Sequence, residues 1–287
     1  VLLPVERVIK ALRREPVTPL PRGELFINRD FLDRHFNRDH LSYMDQLESA
    51  AMIPGLSTLG IDLNRDHPQS FFHDLHRGRL KERFLIGWLN GPVSGLIQQQ
   101  GFIPAMLILR KETARFSSLA ETILNQFEEK VKQARDHGMN ALALADDIAG
   151  DRGLFFSTEF FLEVVEPIYK RIARMIKESG LYAFFHSDGD VRKIVPSLIQ
   201  ASYDCLHPVD HRAGLGLYDL KEAFGEKITF MGHLDLIAWD PEAIGQEIEK
   251  AEKTFTRGGL ILGSAGGLSV ETKPDRLRRL YAPGPTQ

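Results

Sequence analysis

From residue 83 onward, short apolar runs of strand-forming residues alternate with helical stretches all the way to residue 281. RFLIGWLNGP (83–92), NALALADDIAG (140–150), LYAFFH (181–186), SYDCLHPVD (202–210), KITFMGHLD (227–235) and GGLILGSAGGL (258–268) read as strands. Helical patterns separate them over roughly 94–110, 115–137, 157–178, 191–201, 215–224 and 241–255, with a last one from 274 to 281. Strand–helix–strand crossovers make parallel sheet. GELFI (23–27) and LGIDLN (59–64) bring the strand count to eight, the number that closes a barrel. No GxGxxG turn follows any strand, which disfavours an open dinucleotide-binding sheet. The expected architecture is a single-domain (β/α)8 TIM barrel spanning 1–287, with an N-terminal helical extension built on ERVIKALRR (5–13). Such barrels take ~250 residues as one domain.

Local signals set the expected boundaries. Pro16, Pro19 and Pro21 stiffen the connector after the first helix. RDFLDRHF and HLSYMDQLESAAMI read as two helices, the second carrying Leu41, Met44, Leu47 and Met52. Residues 65–82 lack clear periodicity and read as loop with some helix. Ser157 should begin a long helix that Pro167 kinks and Gly180 ends. Asp190 is placed to cap the helix after LYAFFHSDGD, and Asp240 precedes Pro241 at a helix start.

Bulk composition narrows the function classes. The chain is 43% hydrophobic and 26% charged with a net charge of −3, so no basic field exists to hold nucleic acid. No apolar run reaches the roughly 18 residues that span a bilayer. Cys205 is the only cysteine, which excludes intrachain disulfides and multi-cysteine zinc sites. With no signal-peptide pattern before the first helix, a reducing cytoplasm is the expected compartment.

Polar residues collect just after each apolar run, at the strand ends where barrel enzymes place their sites. His186 and Asp188 are two apart and share a strand face, so an imidazole and a carboxylate converge there. They could bind a metal, act as an acid/base pair, or merely cap the next helix. Asp146 and Asp147 point to opposite faces. Asp147 shares its face with Ala141, Ala143 and Ala145 and is the expected inward one, although a DD pair also serves as a helix cap or salt-bridge partner. His233 and Asp235 repeat the His-x-Asp spacing, and the two pairs together could supply a three-ligand metal site with one open position. Asp235 could equally orient His233 or cap a turn. His207 and Asp210 end another strand, Asn90 another, and Ser264 sits in a glycine-rich segment that lets a ligand approach the backbone. Glu24, inside an apolar stretch, needs a partner. The expected catalytic set is Asp147, His186, Asp188 and Asp235, with Glu24, Asn90, His207, Asp210, His233 and Ser264 contacting substrate. Cys205 reads as a small buried residue.

The succession RVIKALRREPV, GPVSG, LADDIAG, FFSTEFFLEVVEPIYKRI, HSDGD, LHPVD, ITFMGHLD and GGLILGSAGGL resembles the uroporphyrinogen decarboxylase superfamily over nearly the whole chain. The resemblance implies a (β/α)8 barrel and one of two chemistries: decarboxylation of uroporphyrinogen, or methyl transfer to or from a corrinoid held on a partner protein. The decarboxylases' arginine-rich RQAGR-like segment is replaced by GELFINRDFLDRHF, which keeps Arg29 and Arg34. Their Phe-Ser-Asp is replaced by GIDLNRD with Asp62, and their last-strand histidine is missing from SAGG. The methyltransferases' zinc element, His-x-Cys-Gly with a later Cys, reads His186-Ser187-Asp188-Gly189 with Ala265-Gly266. A metal such as zinc held by His186 and Asp188, with Asp147, Glu24 or Asp235 added, is then a harder N/O site. It suits polarising an ether, alcohol or amine leaving group. The resemblance thus implies demethylation of a small methylated substrate, as in an O-demethylase, with the methyl group passed to a corrinoid-binding protein. A uroporphyrinogen decarboxylase and a non-catalytic small-ligand barrel are the rival readings.

Overall fold

Eight parallel strands close into a barrel, each joined to the next by a crossover that returns the chain to the same end of the sheet. The computed structural model describes residues 2–39 and 42–281; His40 and Leu41 of the second expected helix lie outside them. In chain order the barrel strands are β1 (Arg22–Gly23), β2 (Leu56–Asp62), β3 (Phe84–Asn90), β4 (Ala141–Ala145), β5 (Tyr182–His186), β6 (Cys205–His207), β7 (Thr229–Leu234) and β8 (Leu260–Ser264). Each pairs with its neighbours in sequence, and β8 closes onto β1. The helix Pro4–Leu12 precedes the barrel as the N-terminal extension. No helix among the described residues is long and apolar enough to cross a membrane.

The register puts matching residues in rows across the wall. Asn90 pairs with Ala145, Ala145 with His186, and His186 with His207. Residues two positions earlier on the same strands face the same way. Phe84 and Phe184 therefore meet inside the barrel, with ring centroids 6.1 Å apart. Ala141, Ala143 and Ala145 on the strand between them leave the room these rings fill, as small and large residues alternate in a close-packed interior. Outward-facing residues pack under the helices, as Phe185 does against Tyr169 and Tyr203.

Several boundaries differ from expectation for local reasons. Of GELFI only Gly23 lies in the two-residue β1, and Ile27 makes a single bridge to Leu268. β4 stops at Ala145, and Ala149–Gly150 instead forms a small antiparallel hairpin with Gly153–Leu154. β6 is short, because Pro208 has no N–H to offer the ladder. The expected helix over 94–110 is two, Pro92–Gln100 and Phe102–Lys111, broken where Gly101 adopts φ +82°. Ser157 caps the next helical segment as expected, its side chain accepting from the Phe160 N–H. The turn Phe161–Val165 ahead of Pro167 is π-wound, which is how the chain accommodates a proline within a helix.

Candidate metal centre and ligand cavity

The row Asn90–Ala145–His186–His207 lines a cavity of about 490 Å³ at the C-terminal ends of β3 to β6. Above it stand Asp147 and Asp188, two residues beyond Ala145 and His186. One donor atom from each of Asp147, His186 and Asp188 lies within 4.8 Å of the others. His186 Nε2 is 3.6 Å from Asp147 Oδ1. That carboxylate is steered by its surroundings: Asp147 Oδ1 accepts from the Asp188 N–H at 2.9 Å, and the Asp147 N–H donates to Ser94 Oγ at 2.7 Å.

The neighbouring acid explains why only one member of the DD pair faces the cavity. Asp146 is fully buried and turned outward, accepting from the Val93 and Ser94 N–H groups and from Tyr169 Oη. It caps the helix Pro92–Gln100 and thereby places Ser94 and Gln98 at the cavity wall. Burial raises its pKa to about 6, against the pull of those hydrogen bonds. Gly91 is required here, since a Cβ on it would stand 2.3 Å from the Asp146 carboxyl carbon. Gly189 (φ +87°) plays the same part after Asp188, where the chain passes against the backbone of Ala149.

Burial lowers the His186 pKa, although Asp147 and Asp188 pull it upward. Burial raises that of Asp188, opposed by His186 and reinforced by the Asp147 charge. Two carboxylates beside a neutral imidazole make a centre of net negative charge that a cation relieves. One nitrogen and two oxygens form a three-ligand set with room for a further ligand from the cavity. That chemistry fits zinc or another borderline-to-hard divalent ion, without thiolate. Cys205 takes no part: it is fully buried below His207, and burial pushes its thiol pKa up.

The cavity is lined by Phe26, Trp88 and Ile97 and by the amides of Asn90 and Gln98, with Asn90 Nδ2 donating to Gln98 Oε1 at 3.3 Å. Phe26 sets its ring edgewise to His186, centroids 4.8 Å apart. A second hollow of about 480 Å³ adjoins the first through Phe26, Trp88 and Gly266. Phe26 and Trp88 were not singled out in the sequence. Trp88 was accessible to that reading, being two residues before Asn90 on the same strand face.

Other expected site residues lie elsewhere. Glu24 and Ser264 belong together but not in this cavity: the fully buried Glu24 carboxylate accepts from Ser264 Oγ at 2.6 Å, the Ser264 N–H at 3.0 Å and Tyr281 Oη at 2.6 Å. The second His-x-Asp pair also fails to join the first. Gly232 and His233 adopt φ +104° and +95°, which breaks the strand alternation on which the shared face depended. His233 Nε2 instead meets Glu247 Oε1 at 2.9 Å on the helix Pro241–Thr254. Asp235 turns its Oδ1 to the Ile237 and Ala238 N–H groups and caps that turn. Asp210 is engaged by Arg212, Oδ2 to Nη2 at 2.8 Å, and the charges of both reach Asp188. Asp62 is held by Asn64 and by Arg65 Nε at 2.8 Å.

Fold and site together define a parallel (β/α)8 barrel with a carboxylate–imidazole centre at the C-terminal strand ends. Residues 75–282 match uroporphyrinogen decarboxylase (URO-D), and the chain belongs to that family. No curated protein matches the sequence. Among solved structures, a methyltransferase from Methanosarcina mazei superposes with a TM-score of 0.73 at 15% identity, covering 98% of each chain. The YdhT protein from Bacillus subtilis gives 0.56 at 13% identity, covering 97% of this chain and 88% of that one. A sugar phosphate isomerase/epimerase from Parabacteroides distasonis gives 0.52 at 10%, covering 93% and 97%. At these identities the likenesses speak to the fold.

Proposed function

We propose that the protein is a methyltransferase that removes a methyl group from a small methylated substrate and passes it to a corrinoid carried by a partner protein. The observation that carries this reading is the meeting of Asp147, His186 and Asp188 in one cavity, with donor atoms inside 4.8 Å. The three would hold a divalent cation, zinc being the first candidate, which when bound supplies a Lewis acid to polarise the substrate's leaving heteroatom. Trp88, Phe26 and Ile97 offer the methyl-bearing part an apolar wall, and the Asn90 and Gln98 amides fix its polar part. Membership of the family and the likeness to the Methanosarcina methyltransferase support the assignment.

Decarboxylation of uroporphyrinogen fits less well. Its many carboxylates need charge-assisted partners, whereas among the described residues no lysine or arginine lines the cavity. In the adjoining hollow, Arg29 and Arg65 are paired to Asp33 and Asp62. The test is methyl transfer from a panel of methyl ethers and methylamines to a Co(I) corrinoid protein, with zinc-loaded wild type and His186→Ala in parallel. Transfer by the wild type and its loss in the variant are expected. Conversion of uroporphyrinogen to coproporphyrinogen, without transfer, would reverse the assignment.

A further inference from the structure

The helix Phe102–Lys111 is apolar on two sides. Its inner side, Ala105, Ile108 and Leu109, is buried. Its outer side carries Ile103, Met106, Leu107 and Arg110, which fall in one stripe at i, i+3, i+4 and i+7. Ile103 is 72% exposed, and Phe102 and Leu107 are 48% exposed each. A surface helix normally turns a polar face to water, whereas one that is apolar on both faces is covered by something. Beside this stripe runs a hollow of about 520 Å³ whose other wall is Phe155, Phe156 and Phe160. Phe102 and Phe155 meet edge to face, with ring centroids 5.0 Å apart. The hollow shares no lining residue with the ligand cavity.

The two walls also carry opposite charges. Arg110 and Lys111 end the helix. On the other wall Glu163 stands one helical turn after Phe160, with Glu159 just before it in the chain. All four charged residues are exposed, and none stands in an ion pair among the described residues. An apolar ridge beside a groove, and a basic wall beside an acidic one, form a surface that fits a copy of itself. About a twofold axis every contact of one residue with another is made twice, once in each direction. We infer that two copies of this chain pair through this face. The Ile103–Leu107 ridge of each copy enters the groove of the other, and Arg110 and Lys111 of each meet Glu159 and Glu163 of the other. Burial of the ridge drives the association, and the crossed charges set its orientation. A bilayer surface is the poorer fit, because the two glutamates would face anionic headgroups. The pairing is independent of the cation centre.

Sedimentation velocity across a dilution series tests it. The wild type is expected at twice the 32.5 kDa of one chain, separating on dilution. Ile103→Asp puts a charge into the buried ridge and should weaken the pairing at least ~30-fold. Its far-UV circular dichroism should match the wild type, since this side chain already faces water in a single copy. Arg110→Glu sets like charges against each other and should weaken the pairing ~10-fold. Adding Glu163→Arg to that variant should restore the wild-type affinity to within a few-fold. A wild type that stays a single chain at every concentration overturns the proposal. A dimer that Ile103→Asp leaves intact uses another face and overturns it equally. No recovery in the double variant overturns the crossed arrangement of the walls. Single chains that float with phosphatidylserine vesicles, and cease to do so in Ile103→Asp, would assign the face to a membrane instead.

Discussion

Removing one carboxylate from the centre should weaken divalent-cation binding by about two orders of magnitude, and Asp147→Asn is the cleanest case. Asparagine keeps the size of the side chain and an oxygen that can still accept from the Asp188 N–H. What is lost is one negative charge beside a dication. At a separation of ~4 Å the attraction runs from ~2 kcal/mol at the dielectric of water to ~8 kcal/mol at that of near-surface protein. The Asp147 side chain is 50% exposed, which places it towards the lower end, at ~3 kcal/mol, or roughly 100-fold in Kd. Isothermal titration of zinc into metal-stripped protein measures it. The same loss is expected in Asp188→Asn, and no change in Asp146→Asn, whose carboxylate faces the helix Pro92–Gln100. An Asp147→Asn protein that binds zinc as the wild type does would refute the placement of the ion.

Further outcomes follow from the barrel around the centre. Phe184→Ala empties a fully buried position against Phe84 and should cost about 3–5 kcal/mol, read by urea denaturation. Asp146→Ala removes a helix cap and the acceptor for the buried Tyr169 hydroxyl, with an expected loss of ~2–4 kcal/mol that Asp146→Asn recovers only in part, because its NH2 faces a helix N–H where the second carboxylate oxygen stood. Burial raises the Glu24 pKa to about 7, against the hydrogen bonds from Ser264 and Tyr281. Its folded pKa is above the unfolded one, so the stability it contributes is full below the unfolded pKa of ~4.3 and is lost as pH rises through 7. Between pH 4 and 8 the wild type should therefore lose ~3 kcal/mol relative to Glu24→Gln; parallel pH profiles for the two would remove that assignment.

The strand–helix alternation made the barrel legible from residue 83 to the C-terminal helix, because parallel crossovers leave few other arrangements for such a pattern. The inward placement of Asp147 followed from its alternation with Ala141, Ala143 and Ala145, and the register between β4 and β5 then brings it to His186. What the alternation could not show was where it breaks. Gly232 and His233 turn into the left-handed region, so the second His-x-Asp pair, equal to the first in spacing, is pulled apart. Glu24, an acid inside an apolar stretch, does need a partner, but its partners, Ser264 and Tyr281, stand 240 and 257 residues away. The His186–His207 contact depends on the β5–β6 register, which a single sequence does not encode in any local pattern.

Ligation of a metal ion by Asp147, His186 and Asp188 together is open to direct measurement. X-ray absorption at the zinc edge of protein loaded with one equivalent tests it most directly. A shell of nitrogen and oxygen scatterers at ~2.0–2.1 Å, with histidine outer-shell features that vanish in His186→Ala, is the predicted result. A sulfur scatterer at ~2.3 Å, or a spectrum that His186→Ala leaves unchanged, contradicts it.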